Sequence, residues 1–128
     1  MNEKSSILYI DDEPLNVMLF EINFGKKYNV ITAKSGYEGL EKLDADHTIK
    51  VVFSDMKMPG MNGLEFINQA KINFPEKEYY ILTGYDLLED IALAVKNNLI
   101  KRYFCKPFNI PEIEKSILES LSENITIN

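Results

Sequence analysis

Val51-Val52-Phe53-Ser54-Asp55, followed by Met56-Lys57-Met58-Pro59-Gly60, is the stretch on which the fold turns. An apolar, β-favouring run delivers one carboxylate to the end of a buried strand, and a Pro-Gly turn then carries the chain away. An ionised Asp at the tip of a hydrophobic strand is costly unless a cation or hydrogen-bond donors compensate it. Asp55 therefore demands partners, and the flanking sequence must supply them.

Working outward, Ile7-Leu8-Tyr9-Ile10 is a second continuously apolar run, ended by Asp11-Asp12. Continuous rather than alternating hydrophobicity marks a strand covered on both faces, as in a parallel sheet. Glu13-Pro14 opens a helix whose apolar stripe is Leu15, Met18, Leu19 and Ile22, and Gly25 stops it. Tyr28 to Thr32 is a more alternating strand, expected at an edge. Ser35 caps the next helix, with Glu38 completing a capping box and Leu40 and Leu43 turned inward. Beyond Asp55, Asn62 caps a helix with Leu64, Ile67 and Ala70 inward, and Pro75 ends it. Tyr79 to Leu82 is a strand finishing on Thr83-Gly84, followed by a helix capped by Asp86 and carrying Leu87, Leu88, Ile91 and Val95. Tyr103-Phe104-Cys105 is the last strand and finishes on Lys106-Pro107. Asn109 precedes a helix with Ile110, Ile113, Ile117, Leu118 and Leu121 at helical spacing. The pattern is β-α five times over, which implies an α/β fold with a parallel sheet between two helical layers. Residues 1–122 are expected to form one domain, with a fraying tail over residues 123–128.

Composition narrows the function. A chain of 128 residues, 45% hydrophobic and 27% charged, has the make-up of an ordinary globular domain. Its net charge of −6 offers no basic face to neutralise phosphates, so direct nucleic-acid binding is not expected. The single cysteine, Cys105, forms no internal disulfide and reads as a small buried hydrophobe. Met1 to Ser6 lacks a signal-peptide core, and no apolar run is long enough to span a membrane. A cytoplasmic location is expected. His47, the one histidine, falls in a polar loop and reads as exposed. Met56, Met58 and Met61 read as loop packing.

In a parallel sheet all strand C-termini share one edge, where open α/β sheets bind ligands. That edge gathers Asp11, Asp12, Asp55, Thr83 and Lys106. Three crowded carboxylates repel one another, and Lys106 offsets only one charge. A divalent cation with oxygen ligands and retained waters would cancel the rest, and Mg²⁺ fits. The assembly suits a carboxylate nucleophile that forms an aspartyl-phosphate held by the metal, Lys106 and Thr83.

These segments, namely Ile7 to Pro14, Ser54 to Gly63, Leu82-Thr83-Gly84 and Tyr103 to Phe108, resemble the receiver domain of two-component response regulators over about residues 5–122. The resemblance implies a flavodoxin-like doubly wound (βα)5 fold with a five-stranded parallel sheet in the order 2-1-3-4-5. It implies that Asp55 is the phosphoacceptor, served by the phosphohistidine of a sensor histidine kinase or phosphotransfer protein, or by a small phosphodonor. Asp12 would ligate Mg²⁺ directly, Asp11 mainly through water, and Lys57 through its backbone carbonyl. Lys106 would contact the phosphoryl oxygens, with the Lys106-Pro107 bond cis. Thr83 and Tyr103 would move together as the switch and remodel the surface of the fourth helix, fifth strand and fifth helix, regulating an output partner or driving homodimerisation. Gly84 would leave room for the phosphoryl group, while Lys57 and Tyr85 would restrict water. Such a domain regulates its partner and is not a turnover enzyme.

Where many receivers carry Gly-Ala, this chain has Asn97-Asn98-Leu99-Ile100-Lys101-Arg102, which loosens any inference about dimer geometry. Lys57 stands where a haloacid-dehalogenase-type phosphatase needs its second Asp. Asp11-Asp12-Glu13 would repel the phosphate of a flavin mononucleotide, and no P-loop motif is present. The remaining alternative is a receiver-like interaction module that is not phosphorylated.

Overall fold

The computed structural model describes residues 4–84 and 87–125. Five strands alternate with five helices: β1 (Ser6–Ile10), α1 (Pro14–Phe24), β2 (Asn29–Ala33), α2 (Gly36–Ala45) and β3 (Ile49–Asp55) come first. They are followed by α3 (Gly63–Asn73), β4 (Glu78–Thr83), α4 (Leu88–Lys96), β5 (Arg102–Cys105) and α5 (Ile110–Ile125). The strands form one parallel sheet in the order β2-β1-β3-β4-β5, the flavodoxin-like arrangement. The edge placement expected of β2 is observed. α5 continues to Ile125, into the stretch expected to fray.

The sheet divides two cores. Leu8, Ile10, Val52, Tyr79 and Ile81 pack against Leu43 of α2, Phe66, Ile67 and Ala70 of α3, and Ile91 and Ala94 of α4. On the opposite face Ile7, Tyr9, Val51, Phe53, Tyr80, Leu82 and Phe104 meet Phe20 and Phe24 of α1 and Ile113 and Ile117 of α5. This is why the strand sequences read as unbroken apolar runs: successive side chains alternate faces, and both faces are covered. Met56, Met58 and Met61 are buried in the first core.

Several details correct the sequence reading. In α1 the expected stripe faces outward, with Leu15, Met18, Leu19 and Ile22 between 39% and 63% exposed. Phe20 and Phe24 are buried instead, because the second core recruits aromatic rings: Phe20 stacks on Tyr9 at 4.2 Å and lies 5.6 Å from Phe53. Leu118 of α5 is likewise exposed, its inward place taken by Ile117 and Ser116. At α2 the Ser35 side chain accepts from the Glu38 N–H, but the Glu38 carboxylate accepts from Lys34 N–H at 2.7 Å rather than closing the capping box. The full box forms at α3 between Asn62 and Glu65. Leu87, expected on the apolar side of α4, is its exposed N-cap at φ 59°. The expected cap Asp86 and water-excluding Tyr85 lie outside the described residues. Cys105 is half-buried rather than enclosed.

Candidate functional site

The acidic site is assembled by strand ends. β1 releases Asp11 and Asp12, β3 ends on Asp55, and β5 is followed directly by Lys106. Hydrogen bonds between neighbouring strand ends hold the edge in register: Asp11 N–H donates to Ala33 O (3.1 Å), Met56 N–H to Leu82 O (3.0 Å) and Lys106 N–H to Thr83 O (2.8 Å). The Lys106-Pro107 peptide is cis, as the resemblance implies.

Carboxylate oxygens of Asp11, Asp12 and Asp55 all lie within 4.8 Å of one another. Lys106 Nζ bridges two of them, at 3.0 Å from Asp55 Oδ1 and 3.3 Å from Asp11 Oδ2. Asp11 is wholly buried and Asp55 is 7% exposed, while Asp12 is exposed. Burial, reinforced by the negative charge of Asp11, pushes the Asp55 carboxyl up to about 6, against the pull of Lys106 and the Met56 N–H. Burial works against the Lys106 charge, but the hydrogen bond to Asp55 and the negative charge of both carboxylates outweigh it and raise its pKa. Lys106 thus offsets one of the three carboxylate charges gathered here.

A small hard cation fits this donor set. Two oxygens on one Mg²⁺ sit at most about 4 Å apart, so the observed spread needs only a slight contraction, or a retained water at one carboxylate. Lys57 lies exposed two residues beyond Asp55, in the loop that leads to α3. Thr83 is fully buried at the end of β4. Tyr103, half-buried, pairs in register with Ile81 and packs against the first core. By strand alternation Thr83 and Tyr103 share that sheet face. A Cβ added at Gly84 would meet nothing within 4 Å among the described residues.

Two contributors escaped the sequence reading. Gly63 at the start of α3 donates its N–H to Met56 O at 2.8 Å, and a Cβ there would stand 2.4 Å from Asp55 O. Tyr9 entered only as part of an apolar run, yet its hydroxyl donates to Asp11 Oδ2 at 2.5 Å. The signal was available: residues 9 and 11 of a strand share a face.

The chain matches the profile of the response regulator receiver domain over residues 7–118, and it belongs to that family. Receivers are regulatory signalling domains of two-component and phosphorelay systems. Sporulation initiation phosphotransferase F of Bacillus subtilis is 30% identical over 94% of this chain and 95% of its own length. A probable cyclic di-GMP phosphodiesterase of Vibrio cholerae is 34% identical over 96% of this chain. Other curated relatives are longer, the chain spanning 22% of a hydrogenase transcriptional regulatory protein of Cupriavidus necator and 29% of the phosphodiesterase. Among solved structures, a response regulator receiver domain protein from Clostridium thermocellum superposes with a TM-score of 0.88 at 30% identity, covering 94% of this chain and 96% of that one. No helix among the described residues is long and apolar enough to cross a membrane.

Proposed function

We propose that this receiver is phosphorylated on Asp55 by a phosphohistidine donor, a sensor histidine kinase or a phosphotransfer protein, and thereby switches a partner or linked output. The observation that carries the reading is the Lys106 ammonium held between Asp55 and Asp11 inside a three-carboxylate cluster. An Asp55 carboxylate oxygen bonds to phosphorus as the P–N bond to the donor imidazole breaks, leaving an acyl phosphate on the domain. Mg²⁺ held by Asp11, Asp12, Asp55 and the Lys57 carbonyl would neutralise charge on the transferring phosphoryl group. Lys106, already within hydrogen-bond reach of Asp55, takes a phosphoryl oxygen, and the Thr83 hydroxyl takes another.

The added charge of about −1.5 to −2 then biases a two-state equilibrium. Thr83 and Tyr103 share a sheet face, so a shift of the hydroxyl toward the phosphoryl group vacates space that the ring can enter. The surface formed by α4, β5 and α5 changes with it, and a partner or a second copy reads the change. The cytoplasm, where such donors operate, is the location this reading requires.

The decisive test is incubation with Mg²⁺ and acetyl phosphate, read by intact mass. Wild type should gain one phosphate and Asp55→Asn none. Equal labelling of both would move the site elsewhere, and no adduct on either would make the chain an unphosphorylated interaction module.

A further inference from the structure

Asp11 is the one fully buried carboxylate of the cluster, and both its oxygens are engaged. Oδ1 accepts the Glu13 N–H at 3.0 Å, while Oδ2 accepts the Tyr9 hydroxyl at 2.5 Å and Lys106 Nζ at 3.3 Å. The phenol cannot wander. Its ring is stacked on Phe20 at 4.2 Å with planes 6° apart and meets the edge of Phe108 at 6.0 Å. An ionised carboxylate can only accept, so the Tyr9 hydroxyl is the donor in this contact. Lys106 sits nearer Asp55 than Asp11, as expected if Asp11 already has a strong donor of its own.

We infer that Tyr9 is the positioning residue of the cluster: its hydroxyl, anchored by the α1 aromatic stack, fixes Asp11 and so determines how tightly the site takes Mg²⁺. The inference rests on the proposed function for the identity of the ion. Groups that orient a metal-ligating carboxylate typically change metal affinity 10–100-fold when lost. Tyr9→Phe keeps the ring and its stack and removes only the donor. Phe24→Leu disturbs the same aromatic layer, 4.6 Å from Phe20, and leaves the hydroxyl in place.

Calorimetric titration of the chelator-stripped full chain with MgCl₂ tests the assignment, with melting in EDTA as the measure of structural damage. The expected result is a Kd about tenfold weaker for Tyr9→Phe with little change in its metal-free Tm. Phe24→Leu should show the reverse, a lowered Tm and an unchanged Kd. A Tyr9→Phe Kd within twofold of wild type overturns the inference, as does an equal weakening by Phe24→Leu. Either failure leaves phosphate labelling of Asp55 intact. Wild type that takes up no Mg²⁺ overturns both this inference and the metal on which the proposed function relies.

Discussion

At the scale of single residues, the Asp55 carboxyl has a consequence for stability. Its native pKa of about 6 lies above the ordinary carboxylate value, so the folded state binds that proton more tightly than the unfolded chain. Ionisation therefore weakens the fold, and the loss grows as pH rises from about 4 through about 6. In metal-free protein Asp55→Asn should raise Tm at pH 7, by on the order of 1 kcal/mol after allowance for the partly solvated site, and change little at pH 4. A lowered Tm at pH 7 would mean that Lys106 compensates the charge more fully than its geometry indicates. Lys77 shows what residue-level reading misses. It is a buried lysine donating to Ile49 O at 2.6 Å, with its ammonium 5.7 Å from the Phe74 ring centre. Nothing in its neighbours Glu76 and Glu78 distinguishes it from a solvated lysine. Its acceptor is the first residue of β3, 28 residues away in sequence.

At the scale of elements, α1 separates amphipathicity from burial. Seven of its eleven residues are large and apolar, so periodicity marks a helix without choosing its inward face. The choice falls to Tyr9, Phe53 and Phe108, whose rings receive Phe20. Phe20→Ala should cost about 3–5 kcal/mol in denaturant unfolding, whereas Ile22→Ala, at 63% exposure, should stay within about 0.5 kcal/mol. Equal effects would reverse the assigned face. The start of α3 gives a second test. Gly63→Ala would drive a methyl against Asp55 O and Ile81 Cδ1, at 2.4 and 2.7 Å. We expect a loss of about 1–3 kcal/mol and slower phosphate labelling, because the strain falls on the backbone that presents Asp55. Normal labelling by Gly63→Ala would show that the strand end tolerates displacement.

For the whole molecule, the carboxylates of the site come from the ends of β1 and β3, so an ion held there ties together two parts of the chain that are far apart in sequence. Mg²⁺ binding only the folded state should raise Tm progressively, equivalent to about 2.7 kcal/mol at a hundredfold excess over Kd. EDTA should reverse the gain, and Asp12→Asn, an exposed ligand whose loss leaves the cores untouched, should abolish most of it. A Tm indifferent to Mg²⁺ in wild type would remove the cation from the site.

The alternation of apolar runs with helical segments determined the single parallel sheet between two helical layers, because only strands covered on both faces can be apolar without interruption. It also determined that Asp11, Asp12, Asp55, Thr83 and Lys106 share one edge, since every strand of a parallel sheet ends on the same side. Tertiary structure alone decided which face of α1 is buried and how Lys106 divides itself between Asp55 and Asp11. Those outcomes depend on distances between segments far apart in sequence, and local periodicity carries no information about them.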